Sequence, residues 1–111
     1  MTESSEEKIQ QLQALEQNMQ NFLMQRQQFQ MQLVEVDSAL DEIKNKDSVY
    51  RIIGNIMVSS KKEDVKNELE EKKKLLEIRV SNLEKQEQRL KEKANKLREG
   101  ILHSLKENKQ Q

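Results

Sequence analysis

The segment between Val49 and Val58 decides the fold of this chain. It reads Val-Tyr-Arg-Ile-Ile-Gly-Asn-Ile-Met-Val and interrupts a sequence that otherwise mixes charged, amide and regularly spaced apolar residues. Gly54 and Asn55 stand between two short apolar runs, which is the pattern of a two-residue turn joining antiparallel strands. The sequence therefore predicts a β-hairpin over about residues 48–60.

The predicted hairpin has two apolar faces because successive side chains of a strand alternate. A turn at Gly54–Asn55 puts Val49, Arg51, Ile53, Ile56 and Val58 on one face and Tyr50, Ile52 and Met57 on the other. A lone hairpin is marginal in water and leaves two edges unpaired. We therefore expect hairpins of several chains to join into an intersubunit sheet or barrel. The alternative is a hairpin folded flat on its own helices. The predicted oligomerisation residues are Val49, Tyr50, Ile52, Ile53, Ile56, Met57 and Val58.

On both sides of the hairpin, positions at alternating steps of three and four are apolar in seventeen of twenty cases, which is the a/d pattern of a coiled coil. We call these twenty positions the seam. Ser60 and Glu63 add a capping-box pattern at the second helix start. The sequence predicts a single-domain, mainly α chain over 1–111, with helices over about 5–45 and 61–107 folded into a long antiparallel coiled coil. The seam comprises Leu12, Leu15, Met19, Phe22, Arg26, Phe29, Leu33, Val36, Leu40 and Ile43, then Leu69, Lys73, Leu76, Val80, Leu83, Glu87, Leu90, Ala94, Leu97 and Ile101.

Arg26 and Glu87 are charged residues within this apolar seam. In an antiparallel pair of helices around the hairpin, residues whose numbers sum to about 113 lie at the same level, and these two meet that condition. We predict an ion pair that helps to fix the register of the helices. The alternative is that both long side chains reach separately to solvent.

Composition excludes several classes of protein. The 111 residues include 20 basic and 20 acidic side chains, 33% hydrophobic residues, and no Cys, Pro or Trp. Zero net charge argues against a nucleic-acid binder, no apolar run reaches the roughly 18 residues of a membrane span, and the acidic N-terminus is unlike a secretory signal. His103 is the only histidine, and no nucleophile motif or phosphate loop occurs. We expect no enzyme activity, metal or cofactor.

The hairpin and its flanking helices resemble the beta subunits of archaeal prefoldins. The resemblance runs from about Ile9 to Leu105 and is most specific in Tyr50–Val58, in Lys-Lys-Glu-Asp-Val at 61–65, and in Leu-Leu-Glu-Ile-Arg-Val at 75–80. One hairpin matches the beta type, since the alpha type carries two. The resemblance implies a cytoplasmic hexamer of two alpha and four beta subunits with a double β-barrel. Its coiled coils would hold unfolded proteins at their free ends and pass them, without ATP, to a group II chaperonin.

The helix ends far from the hairpin in sequence carry more apolar residues than a two-helix seam covers. This surplus predicts that the helix ends form a client-binding tip. Gly100 favours this prediction, because a mid-helix Gly costs about 1 kcal/mol relative to Ala and so loosens the helix at the tip. Fuller packing after a register shift is the alternative. A structural coiled-coil tether is the alternative function, but it leaves the two-faced hairpin unexplained. The predicted tip residues are Ile9, Leu12, Leu15, Met19, Leu97, Ile101, Leu102 and Leu105.

Overall fold

Two long helices flank a two-stranded hairpin, as the sequence predicts. The computed structural model describes residues 5–110, with side chains through residue 107. The elements are α1 (Ser5–Ile43), β1 (Val49–Ile53), β2 (Ile56–Ser60) and α2 (Lys62–Gln110). The mainly α fold with one hairpin between the helices is confirmed, whereas assembly of hairpins into a barrel stays a prediction.

The hairpin has the register expected for a turn at Gly54–Asn55. Ile53 pairs with Ile56, and the antiparallel ladder continues to Val49 opposite Ser60. Gly54 has a φ of 60°, and no other described residue has a positive φ. A positive φ at the first central position alone is the arrangement of a type II′ turn, which favours Gly there.

The start of α2 differs from the capping-box prediction. Ser60 remains in the hairpin ladder opposite Val49, and the helix begins at Lys62. The Val65 amide donates to the Lys61 carbonyl at 3.2 Å, which is the first hydrogen bond of the helix, so Lys61 rather than Ser60 occupies the N-cap position. The strand pairing holds Ser60 in an extended conformation, while Glu63 and Asp64 still favour the positive end of the helix dipole.

The chain divides into two compact units. The hairpin unit comprises residues 27–81, and the terminal unit comprises residues 1–26 and 82–111. In the hairpin unit, Lys73 of α2 contacts Asp37 of α1, and Arg79 lies over the Phe29 ring. The helices therefore run antiparallel within this unit. Its buried core contains Val36, Val49, Leu76 and Val80.

The terminal unit also pairs its helix segments antiparallel. Glu16 bonds Arg98 and Arg26 bonds Glu87, so rising numbers in α1 match falling numbers in α2. Its buried core contains Leu83, Ala94 and Ile101. All twenty seam positions are buried or half-buried in their respective units, which confirms the heptad assignment.

Candidate functional site

The hairpin presents a largely exposed apolar surface. On one face, Tyr50, Ile52 and Met57 are all exposed, with Ile52 at 72% and Met57 at 66% of their full areas. The second face carries Val49 at the helix end of the hairpin, the paired Arg51 and Val58 at its middle, and the paired Ile53 and Ile56 beside the turn. Exposed apolar patches of this kind mark interaction sites.

The chain itself covers the second face only at the root of the hairpin, by which we mean the end of β1 next to the helices, at Val49 and Arg51. Val49 is buried, Arg51 is half-buried, and Ile53, Ile56 and Val58 are exposed. The Arg51 guanidinium contacts the Glu68 carboxylate of α2 at 2.6 Å, which ties the hairpin to this helix. The alternative of a hairpin folded flat on its own helices is therefore wrong, because six of the seven predicted oligomerisation residues stay exposed.

The junction between helices and hairpin is held by polar contacts. The Lys62 ammonium donates to the Lys44 carbonyl at 2.6 Å. This carbonyl follows the C-terminal end of α1, which has no basic residue in its last turn, so a lysine of α2 supplies the positive charge that a helix C-terminus favours. A further ion pair with Asp37 raises the pKa of Lys73 above its ordinary value of 10.5, mainly through the hydrogen bond to that carboxylate.

The structure separates the predicted tip residues into three groups. Ile101 is buried in the terminal unit, so it is part of the core rather than an available contact. Leu12, Leu15, Met19 and Leu97 are half-buried. Ile9, Leu102 and Leu105 are exposed off the seam. Whether these residues bind clients stays a prediction.

Leu15 and Leu97 line one groove of the terminal unit. The groove has a volume of about 430 Å³, and its other lining residues are Gln11, Ala14, Asn18, Lys93 and Lys96. Sequence reasoning missed these amide and lysine residues as part of a surface. The amide-rich composition of α1 could have pointed to Gln11 and Asn18, but it carries no signal for Lys93 and Lys96, which belong to α2.

Arg26 and Glu87 form the ion pair that the sequence predicts. The Arg26 Nε donates to Glu87 Oε2 at 2.7 Å, and the side chains retain only 22% and 18% of their exposure. A charge-assisted hydrogen bond at an apolar seam favours the register that forms it. Separate extension to solvent is therefore wrong for this pair.

The described residues contain no group of three or more His, Cys, Asp or Glu side chains placed to hold a metal ion. His103 is exposed and contacts Glu107 one helical turn away, as expected of a solvent-facing residue. Within residues 5–110, no helix combines the length and hydropathy required to cross a membrane.

These features define a class of protein in which two long helices are joined by an exposed apolar hairpin. The family model described as prefoldin subunit matches residues 6–108. The chain is 43% identical to the prefoldin subunit beta of Archaeoglobus fulgidus over 88 residues, covering 77% of this chain and 76% of that one. It is 36% identical to prefoldin subunit beta of Thermococcus kodakarensis over 99 residues, covering 86% and 85%.

A solved structure supports the same assignment. The crystal structure of the prefoldin beta subunit from Thermococcus strain KS-1 matches with a TM-score of 0.87 and 35% identity, covering 91% of both chains. The chain therefore belongs to the prefoldin family of chaperone subunits, and its similarity is to the beta type. The resemblance read from the hairpin segment is confirmed.

Proposed function

We propose that this chain is a subunit of an ATP-independent holdase. It assembles through its hairpin with a prefoldin alpha subunit and further beta subunits, as a cytoplasmic hexamer of two alpha and four beta chains. The terminal units hold unfolded client proteins and deliver them to a group II chaperonin. No step in this function requires catalysis or a cofactor from this chain.

The observation that carries the client-binding part is the exposure of Ile9, Leu102 and Leu105 in the terminal unit. Their seam neighbours Leu12 and Leu97 are half-buried, whereas these three side chains lie off the seam and stay exposed. Apolar contacts are non-directional and scale with buried area. They therefore suit clients of unrelated sequence, and several subunits in one complex gain avidity from individually weak contacts.

The observation that carries the assembly part is the exposed hairpin. Six of its seven apolar residues remain exposed although both helices of the same chain are available to pack against them. Two unpaired strand edges flank this surface, and edges of this kind pair with further strands. The hairpins of neighbouring subunits supply such strands and cover the apolar faces at the same time.

The test replaces the exposed tip residues and measures aggregation of an unfolded client without nucleotide. The complex with Ile9→Ser, Leu102→Ser and Leu105→Ser is expected to assemble normally and to lose most of its suppression of aggregation. The matched control replaces three similarly exposed apolar residues of the hairpin unit, with Val34→Ser, Leu75→Ser and Ile78→Ser.

Three outcomes contradict parts of this function. Equal suppression by the tip variant and the wild type would place client binding elsewhere. A wild-type complex that suppresses nothing would favour the structural tether. Delivery is tested by adding a group II chaperonin and ATP to the complex with bound client, and failure to recover folded client would contradict delivery alone.

A further inference from the structure

The two helix segments of the terminal unit differ sharply in charge. Residues 9–26 of α1 contain eight Gln or Asn and only two charged side chains, Glu16 and Arg26. Residues 87–104 of α2, which lie opposite, contain eight charged side chains. Both charges of the α1 segment are engaged by α2, through Glu16–Arg98 at 2.8 Å and Arg26–Glu87 at 2.7 Å. Residues 9–26 of α1 thus offer a surface without unbalanced charge, which is bounded on its N-terminal side by Glu6, Glu7 and Lys8.

The outward side of this α1 segment is a continuous stripe of uncharged polar residues ending in a methionine. Its positions follow steps of three and four, so they share one helix face, and all five are exposed. We call this the amide stripe. It consists of Gln10, Gln13, Gln17, Gln20 and Met24.

An unfolded polypeptide is the partner that this chemistry fits. Such a chain presents a backbone donor and acceptor at nearly every residue, and each Gln side chain offers two donors and an acceptor with two lone pairs. Met24 adds an adaptable apolar contact. A charged face would repel clients of like charge, whereas a neutral amide face binds acidic and basic segments alike.

We propose that the amide stripe contacts the backbone of unfolded client segments and makes holding by this chain insensitive to the net charge of the client. The proposal rests on the holdase function and specifies the class of client that it serves. The amide stripe of α1 adds these backbone contacts to the apolar contacts of Ile9, Leu102 and Leu105.

The test uses the assembled complex with two unfolded clients, one strongly acidic and one strongly basic. The measured quantity is the complex concentration that halves client aggregation, at about 0.05 M and about 0.5 M salt. For the wild type, the two clients should agree within about twofold at either salt concentration, since screening acts on charges that the stripe lacks.

Three variants of the four stripe glutamines separate charge from hydrogen bonding. With Gln→Glu at positions 10, 13, 17 and 20, the acidic client should require about tenfold more complex at low salt, and high salt should reduce this difference. Gln→Lys at the same positions should give the mirror-image preference, which a folding defect cannot produce. Gln→Ala should weaken holding of both clients by a similar factor, because it removes the amide hydrogen bonds without adding charge.

The matched control places the same change in net charge on α2 of the same unit. Lys85→Glu with Arg89→Glu alters two exposed positions and changes the net charge by the same four units as the Gln→Glu variant. It should behave as the wild type. The proposal is overturned if this control shows the same client preference, if the Gln→Glu complex holds the acidic client normally, or if the Gln→Ala complex is unchanged. A wild type that holds neither client would instead contradict the holdase function itself.

Discussion

The hairpin unit and the terminal unit use the same two helices but expose different chemistry. The hairpin unit exposes β-branched and large apolar side chains on a hairpin whose register is set by its turn and whose root is tied by Arg51–Glu68. The terminal unit exposes amides and scattered apolar residues on helix surfaces. An ordered apolar surface suits one defined partner, whereas dispersed amide and apolar groups suit many. The comparison therefore fits the proposed division of roles, in which the hairpin unit assembles the complex and the terminal unit contacts clients.

The largest expected effect is the loss of assembly when the exposed apolar surface of the hairpin is changed. Ile53→Asp with Ile56→Asp should abolish assembly, because charge buried without a partner costs several kcal/mol per group. Both residues are exposed in the single chain, so helix content measured by circular dichroism should be retained. The mass of the complex, measured by native mass spectrometry, checks the prediction.

The control for that variant is Leu75→Asp with Ile78→Asp, which changes two exposed apolar residues of the same unit on α2. It should assemble normally. Assembly of the hairpin variant at the mass of the wild-type complex would show that the hairpin is not the assembly surface.

The next effect concerns the packed core that supports the hairpin unit. Leu76→Ala should lower the free energy of unfolding by about 2–5 kcal/mol, because it removes a buried side chain and leaves a cavity. Leu76 is 2% exposed, while its neighbour Leu75 is 48% exposed. Leu75→Ala is therefore the matched control and should cost less than about 1 kcal/mol. Denaturant unfolding of both variants checks this, and equal losses would contradict the packing.

A smaller effect tests the register of the terminal unit. Arg26→Ala, Glu87→Ala and the double variant form a cycle, with an expected coupling of about 1–2 kcal/mol for a charge-assisted hydrogen bond at a half-buried site. Thermal and denaturant unfolding give the four free energies. The exposed pair Glu16–Arg98, measured in the same way, should couple by less than about 1 kcal/mol. Zero coupling at Arg26–Glu87 would mean that this pair does not hold the register.

The smallest expected effect is a change in the pKa of Lys73 in the hairpin unit. The hydrogen bond to Asp37 raises the pKa of Lys73 from 10.5, so Asp37→Asn should return that pKa toward 10.5. Because the folded-state pKa is raised, the stabilisation is present below pH 10.5 and is lost as the pH rises through the folded-state value. NMR titration of the Lys73 side chain in both proteins checks this. An unchanged pKa in Asp37→Asn would show that the carboxylate is not its cause.

The order of the elements, the turn, the seam and the pairing of Arg26 with Glu87 could all be predicted from the sequence. Their signals are local or periodic: Gly54-Asn55 between apolar runs specifies a two-residue turn, and steps of three and four specify one face of a helix. The constant sum of facing residue numbers follows once the chain reverses at a single turn. Residue identity and spacing are sufficient for these features because backbone geometry repeats along the chain.

Only the tertiary structure decided which side chains of each pattern remain exposed. Val49 and Ile53 lie on the same strand face, yet the first is buried and the second exposed, because the helices cover only the hairpin root. Ile101 belongs to the core while adjacent Leu102 does not. Lys61 rather than Ser60 occupies the N-cap position of α2, because strand pairing holds Ser60. Burial and capping depend on which elements meet in space, and periodicity along one element carries no information about where its neighbours end.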